Sequence, residues 1–401
     1  MTVGSPSAAA GRPLRVGLNL VFLLRDSGGI GTYARELLRA LLEEEPRTEI
    51  TAFTSSEVPE EVVEEPWPGP VSFVRLPVRV SSGPRGAFAL AVGAQWGAIP
   101  LIAARRRLDV VHGLANVAPL ATLRAATVVT LHDLIWIHHP ETMGEAATKG
   151  MMQVAPVSAR RADRVIAVSA AAAQDIASTL GVPLSKIDVI PHGVRPDAKR
   201  AVPVPDDELR RRLGLSGAPV VLCVAQKRPH KNLGALIRTL TLLREQSVQL
   251  VLPGTPTPHE AELRTLASEV GVVDRVRFPG WLSGEELEGL YRLASCLALP
   301  SLQEGFGLPL LEAMMRDLPV ACSNVSSLPE VAGDAALLFD PRDPAAIAAA
   351  LDRLMTDVGL RRSLIARGRQ RCRAFSWRAT ARSTLDSYRR AIVHKRGLAT
   401  G

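Results

Sequence analysis

Two carboxylates stand at a fixed separation in a glycine-rich stretch of the chain's second half. Glu304 and Glu312 have seven residues between them, and Gly305 and Gly307 come soon after the first. Glycine lets backbone approach a ligand closely, and Pro309 suits the start of a helix, whose free N–H groups attract phosphate. A carboxylate beside an anion site is costly unless it binds hydroxyl groups. We therefore expect this stretch to bind a sugar attached to a diphosphate.

Two further residues have positions suited to chemistry. Lys231 lies at the predicted start of a helix that Asn232 can cap, an arrangement that binds phosphate. His132 ends the apolar run of residues 127–132, at the expected carboxyl end of a strand, where open parallel sheets bind their ligands. Both residues also have ordinary explanations, as a solvated loop charge and a structural hydrogen-bonding histidine.

A glycine motif follows the first predicted strand. Residues 27–34 read Ser-Gly-Gly-Ile-Gly-Thr-Tyr-Ala and match a dinucleotide-binding fingerprint. An NAD site would also require an acidic residue at the end of the second strand, where the chain has Phe-Thr-Ser-Ser at residues 53–56. Gly28 and Gly29 therefore match the NAD fingerprint only weakly, and an ordinary helix-entry turn is the simplest explanation for them.

Short β-rich runs alternate with helical patterns along the whole chain, which predicts parallel sheets covered by helices on both faces. The predicted strands of the first half are residues 14–20, 49–55, 71–77, 109–114, 127–132, 164–169 and 187–191, and those of the second half are residues 220–225, 249–253, 275–279, 296–300, 319–323 and 335–339. A proline-rich, charged stretch at residues 195–205 separates the two series. The predicted fold class is α/β, with two Rossmann-like, doubly wound domains.

The composition fits a two-domain protein of a reducing compartment. A chain of 401 residues exceeds one ordinary core, and its 47% hydrophobic residues suffice for burial. Its four cysteines lie far apart without a C-x-x-C pair, which indicates buried thiols rather than disulfides or zinc ligands. The net charge of +8 favours anionic partners, but an aromatic content of 4% argues against nucleic acid.

Two segments bear on the location of the protein. Residues 1–13 lack the charged-then-apolar order of a signal peptide. Residues 86–104 carry no charge, but Gln95 and Pro100 interrupt them and alanine dominates, so they predict a buried helix rather than a membrane span. We expect a cytoplasmic protein, with peripheral contact at the inner membrane surface as an alternative.

The stretch from Ser301 to Met314, Ser-Leu-Gln-Glu-Gly-Phe-Gly-Leu-Pro-Leu-Leu-Glu-Ala-Met, resembles the retaining glycosyltransferases of family 4, which have the GT-B fold. Leu-Pro-Val at residues 318–320 and Leu-Pro-Glu-Val-Ala-Gly-Asp at residues 328–334 extend the resemblance. It implies two Rossmann-like domains facing a cleft, with Glu304 on the donor sugar and Glu312 on the donor ribose.

The resemblance also assigns the remaining roles. It implies that Lys231 neutralises the leaving diphosphate and that His132 faces the donor sugar, so that the catalytic residues are His132, Glu304 and Lys231. The family often has an arginine five residues before this lysine, where Gln226 stands, and Lys227 or Arg228 is the alternative source of charge. The implied donor-binding residues are Gly28, Gly29, Gln226, Lys231, Arg277, Phe278, Glu304, Phe306, Gly307, Leu308 and Glu312.

The expected domains are residues 1–195, an acceptor-side domain to which residues 378–401 return, and residues 196–377, the nucleotide-sugar-binding domain. No D-x-D pair occurs in the sequence, so we expect neither a metal nor a cofactor beyond the donor itself.

The expected function is transfer of a sugar from a nucleoside-diphosphate sugar, with GDP-mannose favoured, to a hydroxyl acceptor with retention of configuration. The acceptor is a glycan, a lipid-linked saccharide or a small molecule, as in polysaccharide or natural-product biosynthesis. Three alternatives stay open: an NAD-dependent oxidoreductase, a non-catalytic nucleotide-sugar-binding GT-B protein, and a phosphorylase or epimerase of the same fold.

Overall fold

Two parallel sheets organise the chain. A computed structural model describes residues 12–24, 27–80, 87–195 and 201–399. The strands of the first sheet are Arg15–Leu20 (β1), Glu49–Thr54 (β2), Val71–Arg75 (β3), Val110–Gly113 (β4), Ala126–Leu131 (β5), Arg164–Ala167 (β6) and Ile187–Val189 (β7). Those of the second sheet are Val220–Leu222 (β8), Gln249–Pro253 (β9), Val276–Gly280 (β10), Cys296–Leu299 (β11), Val320–Ser323 (β12) and Ala336–Phe339 (β13).

Every predicted strand is present, with ends that shift by up to three residues. The first sheet has the order β3-β2-β1-β4-β5-β6-β7, and the second has the order β10-β9-β8-β11-β12-β13. Each order reverses direction once, between β1 and β4 and between β8 and β11. These are the switch points at which doubly wound sheets bind ligands. The predicted α/β class with two doubly wound parallel sheets is confirmed.

Helices connect the strands, as parallel pairing requires. They are Gly28–Glu44 (α1), Glu60–Val63 (α2), Ala87–Arg105 (α3), Ile135–His138 (α4), Glu145–Arg161 (α5), Ala170–Leu180 (α6), Asp206–Leu213 (α7), Leu233–Thr239 (α8), His259–Glu269 (α9), Gly284–Leu293 (α10), Leu308–Met314 (α11), Leu328–Ala332 (α12), Pro344–Thr356 (α13), Val358–Cys372 (α14) and Trp377–Ala399 (α15).

The uncharged segment forms α3, as predicted, although Gly86 lies outside the described residues. Ile99 and Ala103 pack into an apolar cluster with Phe53, whereas Leu101 is 68% exposed. Among the helices of the described ranges, none combines the length and the apolar character that crossing a membrane requires. All four cysteines are buried as free thiols.

The chain divides into two compact units. The first comprises the described residues of Met1–Thr130, Val154–Ile166 and Ala381–Gly401, and the second comprises those of Leu131–Gln153 and Ala167–Thr380. The domain limits predicted at residues 195–196 and 377–378 stay a prediction.

A series of buried hydrogen bonds links four elements inside the first unit. His112 of β4 bonds Tyr388 of α15 through Nδ1 and Thr130 of β5 through Nε2, each at 2.8 Å. The Tyr33 hydroxyl of α1 lies 2.9 Å from the same Thr130 hydroxyl. Burial raises the pKa of both tyrosines, which therefore stay neutral. Because buried polar groups must be paired, this series of hydrogen bonds fixes α15 to the sheet in one register.

The core of the second unit surrounds its six-stranded sheet. Leu222 of β8, Leu297 of β11 and Ala321 of β12 are fully buried, and Leu236 of α8 and Leu311 of α11 pack against them in one cluster. Strands buried on both faces are apolar without alternation, which explains why the sequence showed them as continuous apolar runs.

Candidate functional site

An ion pair at the second switch point joins the two predicted catalytic charges. Lys231 follows β8 and ends a short 3₁₀ turn at Pro229–Lys231, while Glu304 follows β11. Their side chains form an ion pair with Nζ to Oε1 at 2.7 Å and remain 18% and 12% exposed. A partly buried pair is screened less by salt than a surface pair. The sheet order therefore places a cation and a carboxylate together at one ligand-binding edge.

Hydrogen bonds fix both the side chain and the backbone of Glu304. Ser301 donates its hydroxyl to Oε1 at 2.7 Å. The N–H of Glu304 donates to Ser326 Oγ at 3.2 Å, and its carbonyl accepts from the hydroxyls of Ser326 at 2.6 Å and Ser327 at 3.0 Å. Sequence reasoning missed all three serines, although Ser301 lies only three residues before Glu304.

Asn232 does not act as the helix cap that was predicted. It occupies the N-cap position of α8 in the left-handed conformation, with φ of +53°, and its side chain makes no capping bond. Its amide instead donates to the carbonyls of Pro300 at 3.1 Å and Pro341 at 2.7 Å. Asn232 thus ties the Lys231 loop to the end of β11, next to Ser301.

Gly305 brings this loop against His132. A Cβ at position 305 would lie 2.0 Å from the carbonyl oxygen of His132, so only glycine fits. The carbonyl of Gly305 accepts the Ser169 hydroxyl at 2.8 Å. Gly307 has φ of +98°, which also favours glycine. The predicted residues His132, Lys231 and Glu304 therefore belong to one cluster of loops.

The imidazole of His132 lies in a group of rings. It is 5% exposed, and its ring centroid is 5.5 Å from that of His192. Burial, with His132 as a further cause, holds the pKa of His192 well below its usual value, so His192 is neutral. Phe306 packs edge-on against His192 at 4.9 Å and Phe375 at 5.6 Å. The predicted residue Phe306 is thus buried among these rings. Leu308 is buried in the core of the second unit.

Asp133 carries an unusual carboxyl group in the same cluster. Its pKa is raised to about 6, chiefly by burial and also by Glu304 and Asp175, against the lowering effects of the Ile135 N–H and Lys231. The Ile135 N–H donates to Oδ1 at 3.1 Å and closes a turn. Asp133 therefore orients this loop through its carboxyl group.

Glu312 lies in the second turn of α11, which begins at Leu308. Its Oε2 accepts the Tyr291 hydroxyl at 2.9 Å. Arg316 stacks over the Tyr291 ring at 4.6 Å and binds Glu288. Glu312 is partly exposed, so it can accept hydrogen bonds from a hydroxyl-bearing ligand while Tyr291 holds it.

The two alternative sources of charge near Gln226, Lys227 and Arg228, differ in their burial. The Lys227 side chain is fully buried, with Nζ 2.5 Å from the Gly254 carbonyl and 3.4 Å from Glu260. Arg228 is partly exposed, and its Nε donates to Gln226 Oε1 at 2.9 Å. Lys227 is therefore a structural cation, and Arg228 is the accessible one.

The remaining predicted residues lie on β10 of the second unit or in the first unit. Arg277 donates to the carbonyls of Gly214 at 3.0 Å and Asp274 at 2.8 Å, so its side chain is engaged with backbone. Phe278 lies under the Arg264 guanidinium at 4.4 Å. A nucleobase contact through their main chain stays a prediction. Gly28 and Gly29 are the exposed first residues of α1 in the first unit, and Gly28 has φ of +54°.

Sequence reasoning also missed the role of Glu330. Its carboxylate accepts the N–H groups of Ala170 at 2.9 Å and Ala171 at 3.2 Å, at the start of α6. Ser169 caps the same helix by accepting the Ala172 N–H at 3.0 Å. Within the described ranges, no group of three or more histidine, cysteine or acidic residues could hold a metal ion.

Taken together, the cluster offers a cation for an anionic group and carboxylates for hydroxyl groups. Comparison with known proteins agrees with this chemistry. Residues 205–371 match the family model of the glycosyl transferases group 1, and residues 27–198 match that of glycosyltransferase family 4.

Relatives and a solved structure extend the match over nearly the whole chain. A D-inositol 3-phosphate glycosyltransferase from Salinispora tropica is 32% identical, over 92% of this chain and 83% of its own. An MMP α-(1→4)-mannosyltransferase from Mycolicibacterium hassiacum is 30% identical, over 82% and 76%. The structure of sucrose-phosphate synthase from Thermosynechococcus elongatus, 25% identical, has a TM-score of 0.74 and covers 94% of this chain and 98% of that one. The expected GT-B fold is confirmed.

Proposed function

This chain belongs to the glycosyltransferases of group 1 and family 4, and we propose that it transfers a hexose from a nucleoside-diphosphate sugar to a hydroxyl acceptor with retention of configuration. The observation that carries this proposal is the ion pair of Lys231 and Glu304 at the switch point of the second sheet. A diphosphate-linked sugar needs a cation for its phosphates and a hydrogen-bond acceptor for its sugar hydroxyls. Lys231 supplies the first and Glu304 the second.

Binding of the donor would break the ion pair and give Lys231 and Glu304 each a new partner. The diphosphate carries more negative charge than the Glu304 carboxylate, so Lys231 would turn towards it and form charge-assisted hydrogen bonds. Glu304 would then accept hydrogen bonds from the sugar hydroxyls. The leaving diphosphate gains charge as the bond to the anomeric carbon breaks, and a fixed cation in a partly desolvated site stabilises that change.

The other residues would bind the rest of the donor. Glu312, held by Tyr291, would bind the ribose hydroxyls. His132, buried beside Gly305, would hydrogen-bond the sugar. The main chain near Phe278 would contact the base.

Retention follows if the acceptor attacks from the face that the leaving group vacates. The bond from the anomeric carbon to the phosphate oxygen breaks, the bond to the acceptor oxygen forms, and the leaving phosphate takes the acceptor proton. In this scheme Glu304 binds sugar hydroxyls and forms no covalent adduct. Lys231 balances the diphosphate charge without a metal ion.

We propose GDP-mannose as the donor, because one relative is a mannosyltransferase by name and the Glu-Gly-Phe-Gly-Leu-Pro string resembles bacterial mannosyltransferases. The acceptor would be a hydroxyl of a glycan, a lipid-linked saccharide or a small molecule. Four buried free thiols fit a cytoplasmic location, and the net charge of +8 would favour peripheral contact with an anionic membrane.

A calorimetric panel of GDP, UDP, GDP-mannose, UDP-glucose, UDP-N-acetylglucosamine and NADH tests the proposal. Binding of a nucleoside diphosphate and its sugar, with NADH inert, is the expected outcome. Binding of NADH alone would support the oxidoreductase alternative and overturn the proposal.

A further inference from the structure

The Glu304 carboxylate is held through one of its two oxygens. Lys231 Nζ and Ser301 Oγ both donate to Oε1, each at 2.7 Å. Among the described residues, none donates a hydrogen bond to Oε2. Because a carboxylate only accepts hydrogen bonds, the serine must be the donor in its contact. The two oxygens therefore differ in function: one is anchored, and the other is available to a ligand.

The two groups that donate hydrogen bonds to Oε1 differ in how firmly they are held in place. Lys231 carries its charge at the end of a flexible four-carbon side chain, which is 18% exposed. Any diphosphate that enters the site would compete with Glu304 for this charge. Ser301 is 1% exposed and follows β11 directly after Pro300, whose carbonyl is fixed by Asn232. Its side chain has a single rotatable bond, so its oxygen stays close to the end of the strand. When Lys231 turns to a diphosphate, Ser301 remains the neutral donor that holds Glu304.

The backbone of Glu304 needs no help from Ser301, because Ser326 and Ser327 already fix it on both sides. What is left to fix is the direction of the side chain. We propose that Ser301 is a positioning residue, which anchors Oε1 so that Oε2 faces the donor sugar throughout the reaction. This inference rests on the proposed function of Glu304 as the sugar-binding carboxylate.

Ser323 provides a matched control for Ser301. It is also a buried serine at the carboxyl end of a strand, on the adjacent β12, and its hydroxyl donates to the Leu299 carbonyl at 3.2 Å. Removing either hydroxyl costs one buried hydrogen bond. Only the bond of Ser301 reaches Glu304, so a purely structural effect should appear in both variants.

The experiment compares Ser301→Ala, Ser323→Ala and the unaltered protein. Hydrolysis of GDP-mannose and of UDP-glucose is followed by the nucleoside diphosphate released, and calorimetry gives the affinity for GDP and UDP. We expect Ser301→Ala to lower kcat roughly 10- to 100-fold, the effect of losing a hydrogen bond to a charged group. Nucleoside diphosphate affinity should stay unchanged, and Ser323→Ala should keep its kcat.

Three results would overturn the inference. They are a Ser301→Ala kcat within about twofold of the unaltered protein, an equal kcat loss in Ser323→Ala, and a loss of nucleoside diphosphate affinity that matches the loss of kcat. If the unaltered protein binds and hydrolyses neither donor, the proposed function fails first and the inference fails with it. Thermal melts check folding. Should Ser301→Ala unfold, Ser301→Cys keeps the volume with only a weak donor and gives the same comparison.

Discussion

Gly305 lies directly on the carbonyl of His132: a Cβ at position 305 would be 2.0 Å from that oxygen and 2.8 Å from its carbon. The contact is between backbones, so neither side can yield by rotating a side chain. It joins the loop after β5 to the loop after β11. In the second loop, Glu304 directly precedes Gly305. His132 and Glu304 are the two residues predicted to bind the sugar. The distance between them therefore depends on having glycine at position 305.

Gly305→Ala should damage both stability and activity. We expect a loss of about 1–3 kcal/mol in the free energy of unfolding, the usual cost of overpacking, with a lower kcat because the Glu304 loop must shift. Chemical denaturation and donor hydrolysis measure both. Gly217→Ala is the matched control, since nothing lies within 4 Å of its added Cβ. Equal behaviour of the two variants would show that the backbone contact does not matter.

Lys231→Ala should weaken nucleoside diphosphate binding by ~2–3 kcal/mol, because it removes a charge-assisted bond and leaves the Glu304 carboxylate to repel the phosphates. Calorimetry with GDP and UDP measures the change. Lys149→Ala is the control, because that lysine is 70% exposed and pairs with Glu145 on α5. An unchanged affinity in Lys231→Ala would refute the diphosphate assignment.

The two glutamates should separate in kinetics and binding. Glu304→Gln should lower turnover roughly 10- to 100-fold and leave nucleoside diphosphate affinity nearly intact, since its ligand is the reacting sugar. Glu312→Gln should weaken nucleotide and full donor together by ~1–2 kcal/mol. Hydrolysis rates and calorimetry on both variants decide this. Loss of nucleotide affinity in Glu304→Gln equal to that in Glu312→Gln would contradict the division.

Asp133 should make stability depend on pH in a defined direction. Its folded pKa, about 6, lies above the ordinary value of 3.8. The folded state therefore favours the protonated form, and this contribution to stability is full below pH ~3.8 and is lost as pH rises through ~6. Asp133→Asn cannot ionise and still accepts the Ile135 N–H. Thermal melts from pH 4 to pH 7.5 should show the variant gaining over the native protein as pH rises. Parallel curves would contradict the assignment.

The sequence was informative wherever a pattern is local. Strands buried on both faces appear as apolar runs, and ligands bind at the carboxyl ends of such strands, so Lys231 and Glu304 could be predicted as residues of one site. Their ion pair was not predicted, because it depends on the strand order. Asn232 could not, because a helix-start asparagine ordinarily caps, and here Pro300 and Pro341 compete for its amide. Glu330 caps a helix 160 residues away, a contact that no local spacing reveals.

We propose that this chain transfers a sugar from a nucleoside diphosphate with retention. Time-resolved proton NMR is the decisive measurement, with GDP-mannose and UDP-glucose incubated with the protein in EDTA and then with added magnesium. We expect that one donor is consumed under both conditions, that its nucleoside diphosphate is released, and that the first sugar product has the α configuration of the donor. A β product appearing first, or both donors unchanged under both conditions, would contradict it.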